Sequence, residues 1–546
     1  MGWRLSAPSL VDMTDQFGPW WQTAVFYQVY PLSFRDSTGD GFGDLNGLIQ
    51  QLDYLSDTLG VDAIWMSPFY RSPMRDWGYD ISDHTDVDPT FGTLSDAERL
   101  INETHRRGMR IIVDYVINHT SSEHPWFQES RASREAVKRD WYVWRDPGPD
   151  GGPPNNWVSV FSGPSWTLDE TTGQYYRHSY LPHQPDLNWR NPGVVDAMEA
   201  VARFWLDLGV DGFRVDGAHQ MMKDPLDRSN PPVPDGFVDP YKDMGEYGRF
   251  QHLYDIGHED VHDIHRRLRK VLNEYPDRTS VSEVHVFDLS DWALYYGAAL
   301  DEFHMPFNFH LMVADWDADS VRKTIESVLS VVPEGATTNW TLGNHDEHRI
   351  ISRLGPDNAR LAAMLLLTLP GAVFMYYGDE IGMKQTTIEE GDARDPWGRN
   401  VPYLSRDGCR TPMQWTAGPN AGFTTGSPWL PVNADYEATN VEAELNDPQS
   451  MLRLYANLLD LRHRSPALAS DNLQMHEASN EHALVFERSS RDGSDTVTIA
   501  LNFSNESCEL HGVSGHVVVT TKGDHPTGHS AGLQLRPHEG VILRSS

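Results

Sequence analysis

The chain has 546 residues, which is too long for one hydrophobic core, so the sequence predicts two or three domains. Its 44 Lys and Arg residues against 79 Asp and Glu residues give a formal net charge of −35. This charge disfavours nucleic acids and acidic membrane surfaces as partners, because both attract basic patches. A neutral small molecule is the expected partner. The two cysteines, Cys409 and Cys508, give neither a disulfide framework nor a cysteine metal site.

Two segments bear on location in the cell. Residues Met1–Trp21 lack the apolar stretch of a signal peptide, so the sequence predicts a cytoplasmic protein. The run Leu361–Tyr377 is nearly all apolar and close to the length of a membrane span, but Pro370-Gly371 interrupts it. We interpret this run as a buried helix, a turn and a buried strand, and we expect no membrane association.

One unit recurs along the chain: an amphipathic helix, a glycine and then a short apolar strand. In its first copy, leucines and an isoleucine at helical spacing over 45–59 predict a helix. Gly60 ends that helix, and Val61–Met66 follows as a strand.

Two further copies show their helix boundaries more clearly. Ser95 and Glu98 have the spacing of a capping box, and the helix they begin is expected to end at Gly108. Asn191-Pro192 combines an N-cap residue with a proline at the first helical position, and Gly209 ends that helix.

Apolar strands alternating with such helices predict a parallel sheet, and about eight strands over this length predict a (β/α)8 TIM barrel. The predicted strands are Ala24–Tyr30, Val61–Met66, Met109–Tyr115, a strand through Phe213 to Asp216, Thr279–Glu283, Asn339–Gly343 and Ala372–Tyr376.

Three regions depart from this pattern and divide the chain. Residues 119–190 are rich in Pro, Gly and Trp and predict an inserted subdomain between barrel segments 1–118 and 191–467. A looser excursion covers 384–436. From 468 to 546 alternating strands predict a C-terminal antiparallel β-sandwich.

Carboxylates follow nearly every predicted strand, at the end of a barrel where catalytic groups lie. In Asp211-Gly-Phe-Arg-Val-Asp216, Arg214 and Asp216 are two residues apart and would project to the same face. A structural ion pair is one interpretation of this pair alone. Acidic groups at many strand ends favour a functional site instead. The other strand-end acids are Asp80, Asp114, Glu283, Asp346, Asp379 and Glu380.

Two carboxylates around a bound sugar are typical of glycoside hydrolysis. Asp216 would be the nucleophile, because the Arg214 guanidinium is expected to keep it ionised. Glu283 would donate a proton to the leaving oxygen if burial and like charge raise its pKa. Asp346 would bind sugar hydroxyls and stabilise developing positive charge, and His119 and His345 would donate hydrogen bonds.

The short motifs around these residues resemble those of the α-amylase family of glycoside hydrolases (family 13), in its α-glucosidase and oligo-1,6-glucosidase branch. They are Asp114-Tyr-Val-Ile-Asn-His119, Gln184-Pro-Asp-Leu-Asn188, Gly212-Phe-Arg-Val-Asp216, Glu283-Val-His285 and Gly343-Asn-His-Asp346. The resemblance implies retention of the α-anomeric configuration, with Asp216, Glu283 and Asp346 in the roles given above. It also implies a glucose site lined by Tyr79, Asp80, His119, Phe161, Arg214, His345 and Arg410.

A candidate metal loop follows the first strand, in Asp36-Ser-Thr-Gly-Asp40-Gly-Phe-Gly-Asp44. Oxygen ligands at alternate positions are typical of calcium loops, although a glycine-rich turn with acidic caps is the alternative. The resembling branch holds one structural Ca²⁺ or Mg²⁺ here, which would be bound by Asp36, Thr38, Asp40, the Phe42 carbonyl and Asp44. Thr38 replaces the usual Asn or Asp.

The residue after the nucleophile, Gly217, bears on linkage preference. In the resembling branch valine accompanies α-1,6 bonds and smaller or polar residues accompany α-1,4 bonds. We therefore expect an exo-acting α-glucosidase for short α-1,4-linked oligosaccharides, with transglucosylation, as a monomer or small homo-oligomer. An oligo-1,6-glucosidase, a sucrose-active glucosyltransferase or isomerase, and a non-catalytic carbohydrate-binding relative are the alternatives.

Overall fold

The computed structural model describes residues 18–524 and 532–544. Its largest sheet contains eight parallel strands: β1 (Val25–Val29), β2 (Ala63–Met66), β3 (Arg110–Val116), β4 (Gly212–Asp216), β5 (Thr279–Ser282), β6 (Met305–Pro306), β7 (Asn339–Thr341) and β8 (Ala372–Tyr376). Their order is β6-β5-β4-β3-β2-β1-β8-β7, and the sheet curves into a near-barrel. The barrel is therefore confirmed. The two-residue strand β6 is the one that periodicity does not predict.

A side chain joins the two edge strands of this sheet. The Asn339 amide on β7 donates a hydrogen bond to the Pro306 carbonyl at 2.6 Å, and its oxygen accepts one from the Asn308 backbone N–H at 3.0 Å. Asn339 and Asn308 are buried. The asparagine thus satisfies backbone groups that would otherwise lie unpaired at the seam between β6 and β7.

Helices follow the strands and cover the outside of the barrel. After β1 to β8 in turn, these helices are Leu45–Gln50, Leu94–Arg106, Pro192–Leu208, Val261–Leu272, Leu289–Ala293, Ala318–Val331, Pro356–Thr368 and Met451–Arg464. Shorter helices occupy Pro31–Phe34, Pro125–Arg131, His310–Val313, Ile350–Leu354, Pro396–Asn400 and Val441–Asn446.

Two predicted helix details are wrong. The capping box uses Thr93 and Asp96 rather than Ser95 and Glu98: Thr93 accepts from the Asp96 N–H, and Asp96 accepts from the Thr93 N–H. The threonine lies just outside the helix, where its hydroxyl can reach the third helical residue. The helix predicted over 45–59 breaks after Gln50 and continues as a wider, π-helical turn over Tyr54–Leu59.

Other boundaries are confirmed. Asn191 caps the helix Pro192–Leu208 by accepting from the Gly193 N–H, and Gly209 ends it with a φ of 110°. The apolar run over 361–377 is the end of helix Pro356–Thr368, a turn and strand β8, and its helical and strand residues are buried. In the described part of the chain, no helix is long and apolar enough to cross a membrane. Most of the segment Met1–Trp21 lies outside the described residues.

Strand alternation places two apolar layers around the barrel wall. Phe26, Trp65 and Phe374 point inward, where Phe26 and Phe374 stack with ring centroids 4.5 Å apart. Their neighbours Tyr27 and Ile64 point outward into the larger core under the helices. This period of two also sends Arg214 and Asp216 into the barrel and Phe213 and Val215 outward.

Three long excursions leave the barrel at its carboxyl end. The first, over 119–190, contains an antiparallel sheet of Trp144–Arg145, Gln174–Arg177 and Trp166–Asp169. The second lies within 384–436 and contains only short helices, such as Pro396–Asn400. The third, 221–260 between β4 and the next helix, is mostly irregular and was not predicted. The exact domain boundaries stay a prediction.

The C-terminal region consists of two antiparallel sheets. One contains Leu473–Met475, Ala483–Ser489, Thr496–Asn502, Gly540–Arg544 and His516–Thr520, and the other pairs Cys508–His511 with Gly532–Leu535. Side chains from both sheets share one apolar cluster. The predicted antiparallel β-structure is confirmed.

The seam between β6 and β7 can be tested with Asn339→Ala. This substitution leaves the Pro306 carbonyl and the Asn308 N–H without partners, a cost of roughly 2–5 kcal/mol. We expect a lower midpoint of thermal unfolding by circular dichroism. Asn446→Ala is the control, because Asn446 is exposed and its amide bonds only within its own helix. Equal midpoints for the two variants would contradict a role of Asn339 in closing the barrel.

Candidate active site

The end of β4 carries the charged centre of the site. Gly212, with a φ of 150°, lets β4 approach β5 so closely that an added Cβ would lie 1.9 Å from the Thr279 carbonyl oxygen. From this fixed strand, Arg214 Nη1 lies 2.7 Å from Asp216 Oδ1, as predicted, and Nη2 lies 2.9 Å from Glu283 Oε2. One guanidinium therefore joins the carboxylate that ends β4 to the one that follows β5.

These two carboxyl groups titrate differently from what the sequence suggested. Burial, with the nearby charge of Glu283, raises the pKa of Asp216 well above its usual value, although Arg214 opposes this. Burial also opposes ionisation of Glu283, but Arg214 and then His285 lower the pKa of Glu283 below its usual range. Glu283 has more donors, because the Gly217 N–H at 2.9 Å and His285 Nε2 at 3.1 Å also contact it. In this arrangement Glu283 is ionised more readily than Asp216. This corrects the expectation that Arg214 keeps Asp216 ionised while Glu283 holds the proton.

Asp346, on the loop after β7, is held by two arginines. Arg410 Nη2 lies 2.7 Å and Arg406 Nη1 lies 3.2 Å from Asp346 Oδ1. Burial opposes ionisation, but His345, Arg406 and Arg410 lower the pKa of Asp346 well below its usual range. Asp346 is therefore a fixed negative charge.

A buried hydrogen-bond chain fixes the floor of the site. The Gln28 amide donates to His345 Nδ1 at 2.7 Å, so His345 Nε2 carries the hydrogen that faces the Tyr79 hydroxyl at 2.6 Å. Tyr79 donates in turn to Asp114 Oδ2 at 2.7 Å. Burial lowers the pKa of His345 to about 3, so its ring stays neutral as this chain requires. Burial raises the pKa of Asp114 to about 6.

A cavity of about 380 Å³ lies above these groups. Predicted site residues that line it are Tyr79, His119, Phe161, Asp216, Glu283, His345 and Asp346. Arg214, Gly217 and Arg410 lie one layer behind and act through Asp216, Glu283 and Asp346. His119 contributes a neutral ring, because burial lowers its pKa to about 4.

Asp80 is placed differently from the prediction. Its buried carboxylate points into its own loop, where it accepts from Ser72 Oγ at 2.9 Å and from the Asp76 and Arg75 N–H groups at 3.0 and 3.1 Å. Asp76 lines the cavity instead, with Arg406 Nη2 at 2.9 Å and the Gln184 amide at 3.0 Å. The motif Asp76-Trp-Gly-Tyr-Asp80 contains both acids, and the loop conformation decides between them.

The three excursions form the walls of the cavity. An apolar cluster joins them: Phe161, Leu181, Met244, Trp397, Val401 and Leu404. Phe161 and Trp397 stack with centroids 5.2 Å apart. The unpredicted third excursion contributes Tyr241 and Met244, and Lys242 Nζ secures it to Glu347 at 2.6 Å. The sequence signal that could have predicted a role for this third excursion is its length without regular structure, because long irregular loops are usually functional.

Gly217 has a left-handed conformation, with φ 50° and ψ 37°. A Cβ at this position would lie 2.9 Å from the hydroxyl oxygen of Tyr180, a residue that lines the cavity. Glycine therefore allows both the turn after Asp216 and the position of Tyr180. A β-branched residue would be strained by the backbone and would displace the tyrosine.

The candidate metal loop is closed by its own hydrogen bonds. Asp36 accepts from the Thr38, Gly39 and Gly41 N–H groups at 2.7–2.8 Å. Asp44 accepts from Ser37 and caps the helix Leu45–Gln50. In the described part of the chain, the carboxylate oxygens of Asp36, Asp40 and Asp44 do not all lie within 4.8 Å of one another. This arrangement fits an acidic turn better than a preformed ion cage, and the ligand set stays a prediction.

Comparison with known proteins gives concordant matches. The α-amylase catalytic domain matches residues 28–471. A probable α-glucosidase of Rhizobium meliloti (strain 1021) is 40% identical over 525 residues, covering 93% of this chain and 94% of the relative. An oligo-1,6-glucosidase of Parageobacillus thermoglucosidasius is 37% identical over 540 residues, covering 92% and 93%. The crystal structure of the α-glucosyl transfer enzyme XgtA aligns with a TM-score of 0.91 at 40% identity, covering 97% of this chain and 100% of that one.

These matches span the barrel, the site and the C-terminal sheets. They agree with the strand-end carboxylates and the cavity of about 380 Å³ described above. The chain belongs to the α-amylase family of glycoside hydrolases.

Proposed function

We propose that the enzyme is a retaining, exo-acting α-glucosidase that releases glucose from the non-reducing ends of short α-1,4-linked oligosaccharides. The observation that carries the proposal is the convergence of Asp216, Glu283 and Asp346 on one small cavity. Arg214 contacts both Asp216 and Glu283, which suits the separation of about 5–5.5 Å between the two carboxyl groups of retaining enzymes.

In the proposed first step, an Asp216 carboxylate oxygen attacks the anomeric carbon while Glu283 protonates the departing glycosidic oxygen. The bond between sugar and aglycone breaks, and a glucosyl ester of Asp216 forms. Asp346 remains ionised beside Arg406 and Arg410, so it can bind sugar hydroxyls and stabilise positive charge on the ring. In the second step Glu283 removes a proton from water, the water oxygen bonds to the anomeric carbon, and the ester bond breaks, so that glucose leaves and Asp216 is a carboxylate again.

A proton must move from Asp216 to Glu283 before the first step. In the free site the raised pKa of Asp216 and the lowered pKa of Glu283 favour the proton on Asp216. A glycosidic oxygen next to Glu283 supplies a hydrogen-bond acceptor that only the protonated acid can satisfy. We therefore infer that substrate binding moves the shared proton to Glu283 and leaves Asp216 charged against Arg214.

Release of one sugar at a time is supported by the closed end of the cavity. Arg406 joins Asp76 and Asp346 there, and the Gln184 amide holds the other Asp76 oxygen. These paired charges and amides suit the hydroxyls at the non-reducing end of a glucose. With about 380 Å³, the cavity lies near the lower end of the roughly 300–1,000 Å³ of ligand pockets, which suits a short substrate.

The linkage preference is proposed from Gly217 and the place it leaves for Tyr180. Oligo-1,6-glucosidase activity is the rival, and it is the activity named for three relatives. Transglucosylation is supported by the likeness to an α-glucosyl transfer enzyme and by the apolar cavity wall, which would slow the entry of water. One structural Ca²⁺ or Mg²⁺ at 36–44, a cytoplasmic location and a monomer or small homo-oligomer stay predictions.

A substrate panel tests the proposal directly. Initial rates of glucose release are measured with maltose, isomaltose, sucrose and a long maltooligosaccharide, with products identified by chromatography. We expect faster release from maltose than from isomaltose, and single glucose units from the long chain. A preference for isomaltose would favour the oligo-1,6-glucosidase, and isomeric disaccharides from sucrose would favour the isomerase.

The roles of the two carboxyl groups are separable by leaving group. Asp216→Asn should lose nearly all turnover of both maltose and p-nitrophenyl α-glucoside, because the covalent step fails. Glu283→Gln should lose about a hundredfold to ten-thousandfold on maltose but less on the aryl glucoside, whose leaving group needs no protonation. Circular dichroism spectra equal to that of the wild type would show that both variants fold. Comparable losses by Glu283→Gln on both substrates would argue against its role as the acid.

Asp76 and Asp80 provide a matched pair of substitutions. Asp76→Asn should weaken inhibition by glucose by about tenfold to a hundredfold, because a charge-assisted hydrogen bond in the cavity is lost. Asp80→Asn should mainly lower the thermal midpoint, since its oxygens face only the loop. Inhibition constants from maltose kinetics and thermal unfolding measure the two effects. A greater loss of glucose inhibition in Asp80→Asn would restore the assignment made from sequence.

A further inference from the structure

A cluster outside the cavity contains two histidines and a glutamate. His262 and His265 lie one turn apart on the helix Val261–Leu272, and Glu302 lies on the loop before β6. His262 Nδ1 and His265 Nδ1 lie 2.9 and 3.2 Å from Glu302 Oε2. His265 and Glu302 are buried, whereas 21% of the His262 side chain is exposed.

The hydrogen-bond partners of His265 fix its tautomer. Its Nε2 lies 3.1 Å from the Ala218 carbonyl oxygen, and since a carbonyl can only accept, Nε2 carries the ring hydrogen. If the ring is neutral, its Nδ1 then carries a lone pair that faces the Glu302 carboxylate oxygen. Two acceptors at this distance are held together by a positive centre between them, which is either a proton or a metal ion.

We propose that His262 Nδ1, His265 Nδ1 and Glu302 Oε2 bind a divalent transition-metal ion such as Zn²⁺. These three atoms lie within 4.8 Å of one another. Small side-chain rotations would therefore place each of them about 2.0–2.2 Å from a central Zn²⁺, as in known zinc sites. Two imidazoles and one carboxylate suit Zn²⁺ better than Ca²⁺ or Mg²⁺, which prefer oxygen ligands.

The groups around the cluster have the arrangement of an outer ligand shell. The Ala218 carbonyl orients the His265 ring, as carbonyls commonly do for metal-binding histidines. Arg266 Nη1, 3.0 Å from Glu302 Oε1, holds that oxygen and leaves Oε2 directed at both histidines. The partly exposed His262 gives the ion a path from solvent and leaves one coordination position for water.

Ala218 would connect the proposed ion to the turn after Asp216, because the Ala218 carbonyl accepts a hydrogen bond from His265. Ala218 follows Gly217, whose N–H contacts the Glu283 carboxylate, and the Ala218 N–H donates to the Glu283 carbonyl at 3.0 Å. Metal binding to His265 would therefore stiffen the turn between the two carboxyl groups without entering the cavity. This site is independent of the proposed substrate and linkage.

Isothermal titration of tag-free, chelator-treated full-length enzyme with Zn²⁺ tests the site. We expect one ion per chain, a higher thermal midpoint, and a Co²⁺ absorption spectrum of low coordination number. His262→Ala should weaken Zn²⁺ binding about tenfold or more, as loss of a ligand does at least as much as loss of its support. The partial exposure of His262 makes this change compatible with folding, and Glu302→Gln is the second ligand variant.

His511→Ala is the matched control, because His511 is 82% exposed on a C-terminal strand and should not alter Zn²⁺ affinity. Absence of saturable binding would show a hydrogen-bonded cluster that holds no ion. Binding of equal affinity in the wild type, His262→Ala and Glu302→Gln would place the ion elsewhere, including at the catalytic carboxylates. Either result overturns the proposal.

Discussion

The buried guanidinium of Arg214 is the interaction on which the active site depends. It is 2% exposed, and it contacts Asp216, Glu283 and Asp114, three acids that could not otherwise lie together inside a barrel. Taking charged groups from water costs several kcal/mol each, so this arrangement requires every partner to be fixed. The strand β4 provides that fixation, because Gly212 brings it against β5 and the alternation of side chains directs Arg214 and Asp216 inward.

The same guanidinium explains why the pKa values of Asp216 and Glu283 shift in opposite directions. Arg214 can neutralise only one negative charge fully, and the additional donors at Glu283 decide which carboxyl group that is in the free site. Asp346 is different because it has two arginines of its own. A fixed charge at Asp346 and a coupled pair at Asp216 and Glu283 therefore lie around a single cavity.

Sequence periodicity predicted the barrel and the three central acids because both depend on local patterns: strands with a period of two and short motifs at their ends. It missed β6, since two residues carry no period, and it placed the capping box two residues late, since Ser95 and Thr93 are equally good caps. Asp80 was preferred to Asp76, and Arg406 was overlooked, because loop conformation and contacts across 330 positions decide which side chain reaches the cavity. The charge distribution between Asp216 and Glu283 likewise depends on distances that no linear pattern contains.

The meeting of three excursions at one apolar cluster has an evolutionary consequence. The acids Asp216, Glu283 and Asp346 lie at the ends of barrel strands, whereas the cavity wall is assembled from segments near 161–181, 241–247 and 397–404. Insertions or exchanges in one segment can reshape the acceptor side while the barrel chemistry stays intact. The acceptor or linkage preference of related enzymes could thus change through substitutions in the apolar cluster where the three excursions meet, while the strand-end acids stay the same.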